Sequence, residues 1–573
     1  MAFGRRTGVR SAFIRGTPSR ATTGHGVVAR RSWEGGPRVD GLALGTAAGA
    51  LALFGALAFY VLAVGHPHED AYILFTYVEN LVGGHGIAYY PGGPPAEGAT
   101  DFLWLLLLAM LRGLGLDTAL AAGAVNAVSI AGLAYLLARA SGGLVDLVTR
   151  ALLSTAGLAV LLTSGLVEAS VSGFGTAFYA LATAILFCLV REARPEILRW
   201  TPYLGLVLGL IRPDGVILGV GYVAVVAYQL WGTASWRPFL RHAALTALLG
   251  GVYFVGRWTY FGLPLPLPLY VKSAHEAIAP GVYDNLKWLI ENAVLVVLAG
   301  LFIAVAEARG RTVAAWLPLL VFLGVFSFAV QSQNVGMRFQ APLFVPLLIC
   351  ALLALTTAIR KLSRLKGRLL ATILLVPVAV FQAPNLKEQV DYLTNDDYIN
   401  FFPAYASKIL KPDMRLALTE AGRLAFWTQA KTYDLVGLNT KETARKPVDM
   451  RYLARIAPEA ILIHTAGTLG GLRCQDGPVC IVSSERIWER AGSRNWRAVQ
   501  ERVKRAPLVV YDYLRAEGAR YTIFLVRYGD AFDHLYAVRN DVPPLADQWR
   551  DALRQSFSEQ AHRSYWSMRR MLE

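Results

Sequence analysis

Two adjacent carboxylates, Glu69 and Asp70, are the residues of this 573-residue chain whose position is best suited to chemistry. They follow the first long apolar run, where a membrane helix would end and meet water. A carboxylate that is partly shielded by a membrane can have its pKa raised, and it can then take a proton from a hydroxyl group. The same pair could hold a divalent cation, Mg²⁺ or Mn²⁺. A plainer interpretation is that the two acids only solvate the end of the helix.

The composition of the chain places these acids in a membrane protein. Hydrophobic residues make up 55% of the chain and charged residues 17%, whereas soluble domains carry about 25% charged residues. The formal net charge is +16, but Lys and Arg lie mostly in short loops between apolar runs. That distribution is typical of the cytoplasmic loops of membrane proteins, so no nucleic-acid partner is expected.

The apolar runs predict a polytopic α-helical membrane protein with about 11 transmembrane helices. The runs cover residues 42–64, 119–138, 151–170, 173–190, 201–211, 215–231, 240–258, 288–306, 313–330, 341–358 and 369–384. Basic clusters fall in every second loop, which predicts a cytoplasmic N-terminus. The apolar run 101–111 is too short to span, so it is interpreted as a helix at the outer interface with Trp104 as an anchor.

The sequence divides into three predicted regions. These are a disordered basic cytoplasmic tail at 1–40, a transmembrane domain at 41–384 that includes a large first outer loop at 65–118, and a soluble extracytoplasmic α/β domain at 385–573, called the C-terminal domain below. Short β-rich runs that alternate with charged helical stretches predict the α/β character. Cys474 and Cys480 lie in a polar stretch of this domain, where they could form a small disulfide loop or stay as free thiols.

An ordered set of short motifs resembles the GT-C superfamily of membrane glycosyltransferases, nearest to the mycobacterial membrane arabinofuranosyltransferases and their bacterial relatives. The motifs are Glu69-Asp70-Ala71-Tyr72-Ile73, Gly84-His85-Gly86, Glu97-Gly98-Ala99-Thr100-Asp101-Phe102-Leu103-Trp104, Arg212-Pro213-Asp214-Gly215, Tyr270-Val271-Lys272 and Met337-Arg338-Phe339. The resemblance covers about residues 65–440. The chain departs from the family at Glu69, where Asp is usual, at Thr76, where Arg is expected, and at Gly175, where an acid is expected.

The resemblance implies transfer of a sugar from a polyprenyl-phosphate donor to a cell-envelope glycan or glycolipid, with inversion, on the outer face of a bacterial inner membrane. It favours arabinofuranose as the sugar, while mannose or another hexose stays open. The implied roles are Asp70 as general base or cation ligand with Glu69 sharing either task, Lys272 and Arg338 as donor-phosphate ligands, Arg212 and Asp214 as a substrate contact or a structural ion pair, and Tyr72, Glu97 and Thr100 as substrate or structural contacts.

Two other classes of function compete with this interpretation. A transporter or flippase of envelope precursors would place ionisable residues in the middle of several spans and would show repeat symmetry. Most charges of this chain instead fall at the predicted outer ends, with Arg212 and Asp214 as the main exception. A non-catalytic scaffold that keeps the fold is the third class. The retained Glu69, Asp70 and Lys272 argue against it, while the losses at Thr76 and Gly175 keep it open.

Overall fold

The structure is a computed structural model, and it describes most of the chain. The described residues are 40–144, 146–272, 279–331, 333–395, 397–465, 467–469, 472, 474, 477–491, 496–499, 501–528, 532–558 and 564–572. The predicted disordered tail lies outside them, apart from its last residue, Asp40.

The first two thirds of the chain are helical. A helix satisfies its own backbone groups, which an apolar segment in lipid requires. The helices are α1 (Gly41–Val64), α2 (Glu69–Val82), α3 (Phe102–Gly113), α4 (Thr118–Ala140), α5 (Leu147–Leu162), α6 (Gly165–Val171), α7 (Thr176–Glu192), α8 (Pro195–Leu198), α9 (Thr201–Ile211), α10 (Gly215–Leu230), α11 (Trp236–Phe261), α12 (Leu267–Lys272), α13 (Val282–Glu291), α14 (Ala293–Val305), α15 (Arg309–Phe326), α16 (Ala341–Ile359) and α17 (Arg364–Leu393).

Among the described residues, six helices are long and apolar enough to cross a membrane: α1, α4, α11, α15, α16 and α17. Two bent pairs, α5 with α6 at 55° and α13 with α14 at 80°, raise the number to eight if each pair is one broken span. The apolar helices α3, α9 and α10 are shorter than the roughly 20 residues that a bilayer requires. The chain is a multi-pass membrane protein, and the count of eleven spans stays a prediction.

The C-terminal domain is α/β, as predicted. Its strands are β1 (Arg415–Leu418), β2 (Lys431–Asp434), β3 (Ala460–His464), β4 (Val479–Ile481), β5 (Tyr521–Tyr528) and β6 (Phe532–Arg539). Its helices are α18 (Phe402–Ile409), α19 (Arg423–Thr428), α20 (Lys441–Arg445), α21 (Met450–Ile456), α22 (Ser484–Ala491), α23 (Arg502–Glu517), α24 (Leu545–Ser558) and α25 (Tyr565–Leu572). The sheet order is β2-β1-β3-β6-β5-β4, in which β1 runs parallel to both of its neighbours and the other pairs are antiparallel. Cys474 and Cys480 are joined in a disulfide.

The sheet has two buried faces because side chains alternate along each strand. On one face, Leu416 and Leu462 belong to the same buried cluster as Tyr72 and Trp104 of the first outer loop. On the other face, Ile461 packs with the apolar side of α23. The first outer loop and the C-terminal domain therefore share a core. Trp104 is 1% exposed, so the interpretation of this residue as an interfacial anchor is wrong.

Polar contacts join the same two regions. The backbone N–H of Tyr565 donates to the carbonyl oxygen of Gly65 at 2.9 Å. The Arg569 guanidinium donates to Glu79 at 2.9 Å and to Asp117 at 3.0 Å. Because they are in direct contact, the first outer loop and the C-terminal domain lie on the same side of the membrane domain.

Loops predicted to be cytoplasmic contact one another as well. Arg360 donates to the carbonyl oxygen of Gly143 at 3.1 Å, and Arg368 pairs with Asp146 at 2.9 Å. These contacts group the loops in the way that the distribution of basic residues predicts. Which group faces the cytoplasm stays a prediction.

Candidate active site

Glu69 and Asp70 occupy the first turn of α2, where the positive end of the helix dipole favours acidic side chains. His68 caps this helix, because its Nδ1 accepts a hydrogen bond from the backbone N–H of Asp70 at 3.2 Å. Burial lowers the pKa of His68 to about 4, which keeps the ring neutral and able to accept. Successive residues of a helix are about 100° apart around its axis, so the two carboxylates point in different directions.

Glu69 points to the C-terminal domain. Its Oε1 accepts hydrogen bonds from the backbone N–H groups of Gly422 at 2.8 Å and Arg423 at 3.1 Å, and its Oε2 lies 3.8 Å from the Arg423 guanidinium. A Cβ at Gly422 would lie 1.9 Å from the carbonyl oxygen of Glu69, so only glycine allows this approach. Burial raises the pKa of Glu69 to about 7, against the opposing effect of Arg423. Glu69 therefore joins the two regions.

Asp70 points the other way, to Arg338. Its Oδ2 lies 3.8 Å from a guanidinium nitrogen of Arg338, which is too far for a hydrogen bond. The Arg338 guanidinium lies 3.9 Å from the centre of the Phe174 ring. The Nε of Arg338 is buried and finds no hydrogen-bond partner among the described residues. A buried donor without a partner costs about 1–3 kcal/mol, so this arginine is suited to an anionic ligand.

The loop that carries Arg338 is held by a network of buried amides. Gln340 donates to Asn285 at 2.8 Å and to Gln331 at 2.6 Å, and Asn334 donates to Gln340 at 3.0 Å. Asn285 in turn donates to a backbone carbonyl of α15 at 3.0 Å. These bonds fix the loop against two helices and hold its arginine near Asp70. The sequence analysis missed this network, because Asn and Gln residues scattered over 285–340 form no motif.

Three cations surround the ring of Phe339. The charged groups of Arg212, Arg338 and Lys272 lie 5.3, 5.5 and 5.9 Å from its centre; the three basic residues are called the cation cluster below. Arg212 is held by Asp214 through two hydrogen bonds of 3.0 Å. Burial, and next the charge of Arg338, lowers the pKa of Lys272 to about 8. The cluster concentrates positive charge beside Asp70.

Asp101 completes the charged group, and the sequence analysis did not select it. Its Oδ2 lies 4.0 Å from Arg212, and its Oδ1 accepts a hydrogen bond from Thr100 at 3.1 Å. Burial raises the pKa of Asp101. It precedes α3 and makes no capping bond to it. An acidic residue just before a helix is typical of an N-cap, so the sequence pattern did not indicate the contact of Asp101 with Arg212. Thr100 thus supports the site through Asp101.

Two candidate residues from the sequence analysis, Tyr72 and Glu97, lie outside the cation cluster. Tyr72 is fully buried, and its hydroxyl oxygen lies 3.2 Å from Nδ1 of His66. Glu97 forms a two-bonded ion pair with Arg257 of α11, one bond being 2.9 Å long, and burial raises the pKa of Glu97. Glu97 therefore ties the first outer loop to α11. Both residues make structural contacts here.

Gly175, a departure from the family pattern, lies against Trp104. A Cβ at this position would be 2.7 Å from the indole ring. The acidic side chain that the family pattern expects would therefore collide with Trp104 where it now lies. The contact between Asp70 and Arg338 is formed without this acid.

A divalent cation at Asp70 and Glu69 stays a prediction, and the donor set does not fit one. Within the described part of the chain, no three His, Cys, Asp or Glu side chains are grouped to share an ion. Glu69 already accepts two backbone N–H groups, and a guanidinium lies beside each carboxylate. Mg²⁺ requires an octahedral shell of oxygen ligands, which these groups do not provide.

Comparisons with known proteins bear on the fold. The crystal structure of ArnT from Cupriavidus metallidurans in the apo state is similar over 86% of this chain and 98% of that protein, with a TM-score of 0.50 and 14% identity. This likeness confirms the predicted GT-C-like fold. The apo oligosaccharyltransferase of Archaeoglobus fulgidus is similar over 74% of this chain and 70% of its own, with a TM-score of 0.45 and 10% identity.

One family model matches part of the sequence. Residues 397–525 of the C-terminal domain match a family described as a domain of unknown function, DUF8728. No curated protein matches the chain. The special likeness to arabinofuranosyltransferases therefore stays a prediction.

Proposed function

We propose that this protein is a GT-C glycosyltransferase that moves a sugar from a polyprenyl-phosphate donor to a hydroxyl group of a cell-envelope glycan or glycolipid. The GT-C-like fold supports the class of reaction. The observation that carries the proposal is the cation cluster beside Asp70, in which the buried Nε of Arg338 finds no partner among the described residues. An anion-binding group next to a carboxylate is what this transfer needs.

The reaction follows from these two groups. The donor phosphate binds the cation cluster, Arg338 through its forked guanidinium and Lys272 as a point charge. The acceptor oxygen attacks the anomeric carbon from the face opposite the phosphate, so the configuration is inverted. The bond between that carbon and the phosphate oxygen breaks, and the phosphate leaves with the electron pair. Asp70 takes the proton of the acceptor hydroxyl. The cations stabilise the charge that develops on the phosphate.

Glu69 and Arg212 have supporting roles in this scheme. Both oxygens of Glu69 face backbone N–H groups or Arg423 of the C-terminal domain, so this residue positions the start of α2 while Asp70 reacts. Arg212 is neutralised by Asp214 and lies near Asp101. Arg212 therefore lines the phosphate site, and its ion pair with Asp214 limits the net positive charge of the cluster.

The finer statements rest on the sequence. Arabinofuranose as the donor sugar is supported by the motif set around Glu69-Asp70 and Glu97–Trp104. The outer face of a bacterial inner membrane is supported by the basic loops and by the way in which contacts group the loops. Both stay proposals until a donor and a topology have been measured.

The proposal is tested by transfer from radiolabelled donors. The full chain, reconstituted in nanodiscs, is given polyprenyl-phosphate arabinofuranose or polyprenyl-phosphate mannose with a cell-envelope glycan extract as acceptor. We expect transfer from one donor, and loss of a general base in Asp70→Asn should lower kcat about 10³-fold. Asp391→Asn, an exposed residue of α17, serves as the control. Transfer from neither donor would favour the transporter or scaffold, and full activity in Asp70→Asn would remove the base from this site.

A further inference from the structure

A cavity lies behind the loop that carries Arg338. Its volume is about 510 Å³, and its walls come from α6, α13, α17, the start of α16 and Asn292, which joins α13 to α14. This is within the size range of small-molecule sites, about 300–1,000 Å³. Gly336 and Met337 line it, whereas Arg338, the next residue, lies beside Asp70. One loop therefore separates this cavity from the cation cluster.

The loop is thin at this point. Gly336 has a φ of 56°, and a Cβ there would lie 2.1 Å from the carbonyl oxygen of Gly165 at the start of α6. Only glycine combines that backbone conformation with so close an approach. The backbone of the loop thus packs directly against α6, and side chains of α6 project into the cavity beside it.

The charge of this cavity is opposite to that of the cation cluster. Glu168, Glu291 and Glu388 line it together with a single lysine, Lys287, which lies 3.8 Å from Glu291. His68 forms its end, and burial keeps this ring neutral by lowering its pKa to about 4. A phosphate would be repelled here, whereas sugar hydroxyls donate well to carboxylates.

Two polar side chains in the wall lack partners. Glu168 is 9% exposed, and its carboxylate makes no hydrogen bond or ion pair with any described residue. Gln382 is 7% exposed; its amide nitrogen donates to Asn292 at 3.2 Å, while its oxygen has no partner within the described part of the chain. Buried polar groups are normally paired, and each exception costs free energy. A ligand that donates hydrogen bonds would pair both.

The rest of the wall is suited to a carbohydrate. The amides of Asn292 and Asn385 can donate and accept, and Trp288 and Tyr392 provide apolar ring faces. We propose that this cavity binds the acceptor through an uncharged, hydroxyl-rich sugar residue. The donor phosphate then lies on one side of the loop and the acceptor sugar on the other. This inference rests on the proposed function. His68 lies at the end of this cavity, and its Nδ1 accepts a hydrogen bond from the backbone N–H of Asp70. A sugar bound in the cavity therefore places an acceptor hydroxyl next to the base.

Binding is tested without turnover. Saturation-transfer NMR on the full chain in nanodiscs uses methyl arabinofuranoside, methyl mannopyranoside and methyl galactopyranoside as probes. We expect a signal from at least one glycoside, its loss in Glu168→Gln, and its retention in Lys387→Ala, an exposed neighbour on α17 outside the cavity. The proposal is overturned if no glycoside gives a signal or if Glu168→Gln keeps it.

The role in transfer is tested by kinetics. Loss of one carboxylate–hydroxyl bond in Glu168→Gln should raise the acceptor KM about tenfold, with the donor KM and the rate of donor hydrolysis by water unchanged. A rise in donor KM instead would assign the cavity to the donor and overturn the inference. Absence of transfer from either donor in the wild type would defeat the proposed function, and the NMR result would still decide whether the cavity binds sugar.

Folding is controlled separately. Glu168→Gln removes a buried acid that has no described partner, so its Tm should not fall below that of the wild type. Asn385→Ala offers a second variant at an exposed position of the same wall. It should raise the acceptor KM about threefold, as expected for one weak hydrogen bond. If both variants are folded and neither changes the acceptor KM, the cavity has no part in acceptor binding.

Discussion

The cation cluster and the interface between the first outer loop and the C-terminal domain use the same residue types with different geometry. At the interface, Arg569 donates to Glu79 at 2.9 Å and to Asp117 at 3.0 Å. In the cation cluster, Arg338 and Asp70 are 3.8 Å apart, without a hydrogen bond. Arg569 is thus fully hydrogen-bonded to its acids, whereas Arg338 is only loosely paired with Asp70. The difference separates a charge that holds the fold from a charge that is kept for a ligand.

The largest expected effect comes from exchanging these two arginines for uncharged side chains. Arg338→Gln should lower kcat/KM for the donor about 100-fold, because a charge-assisted, forked contact to phosphate is worth about 2–3 kcal/mol. Its Tm should fall less than that of Arg569→Gln, since Nε has no hydrogen-bond partner to lose among the described residues and only looser contacts, such as those with Phe174 and Asp70, are weakened. Steady-state kinetics and thermal unfolding measure the two quantities.

Arg569→Gln is the matched control. It leaves Glu79 and Asp117 without their arginine, so unfolding free energy should fall by about 2 kcal/mol. Transfer by the protein that stays folded should be unchanged, because the contacts of Arg569 with described residues are with Glu79, Asp117 and the rings of Phe426 and Trp427, none of which belongs to the cation cluster. Equal loss of activity in both variants would mean that the two regions do not differ in the way that the geometry indicates.

Lys272 gives the next largest effect, as a pH dependence. Its pKa is lowered to about 8 by burial and by Arg338, so its charge is present below pH 8 and is lost as pH rises above that value. Donor kcat/KM should therefore fall above pH 8, by up to about tenfold per unit if the charge is essential. Lys272→Arg keeps a charge at high pH and should flatten this limb. An unchanged limb in the variant would assign the pH dependence to another group.

The sequence predicted much of the fold because apolar periodicity reports local burial. Each predicted span contains a helix, and the β-rich runs form the sheet. The motifs also brought Asp70, Lys272 and Arg338 to one region. The sequence could not show that Asp70, and not Glu69, is available for the reaction. Glu69 accepts a hydrogen bond from the backbone of Gly422, which is 353 residues away in the chain. Periodicity carries no information about such a contact.

Other parts of the site were hidden for the same reason. The backbone angle of Gly336, the amide network around Asn334 and the contact of Asp101 with Arg212 all depend on elements that are distant in the chain. The number of membrane-spanning helices also cannot be derived from composition alone. Helices as short as α9 and α10 are apolar enough for a membrane yet too short to cross it without neighbours.

Glu69→Gln should have a small effect on activity and a defined effect on stability. Glutamine keeps a carbonyl oxygen for the two backbone N–H groups, so transfer should stay within about threefold of the wild type. Burial raises the pKa of Glu69 from 4.5 to about 7. Between these values the folded protein binds more protons than the unfolded chain, so this group stabilises the fold at low pH and loses that contribution as pH rises to 7.

The measurement is the Tm difference between Glu69→Gln and the wild type across pH 4.5 to 7. It should shift in favour of the variant as pH rises. His68, whose lowered pKa has the opposite effect on stability, titrates in both proteins and cancels in the difference. A difference that does not change with pH would show that the acid is already ionised throughout this range. Loss of activity comparable to that of Asp70→Asn would return Glu69 to a direct part in the reaction.

The smallest expected effect is that of a chelator, and it sharpens the comparison between the two acids. With Glu69 engaged by backbone N–H groups and Asp70 beside Arg338, the cations at this site are guanidinium and ammonium groups. Transfer in EDTA should therefore stay within about twofold of the untreated rate, because arginine and lysine already hold the phosphate charge. If EDTA abolishes transfer and Mg²⁺ or Mn²⁺ restores it, the donor phosphate must complete the shell of a metal held by Asp70. In that case Arg338 stabilises the fold around the metal and does not bind the leaving group.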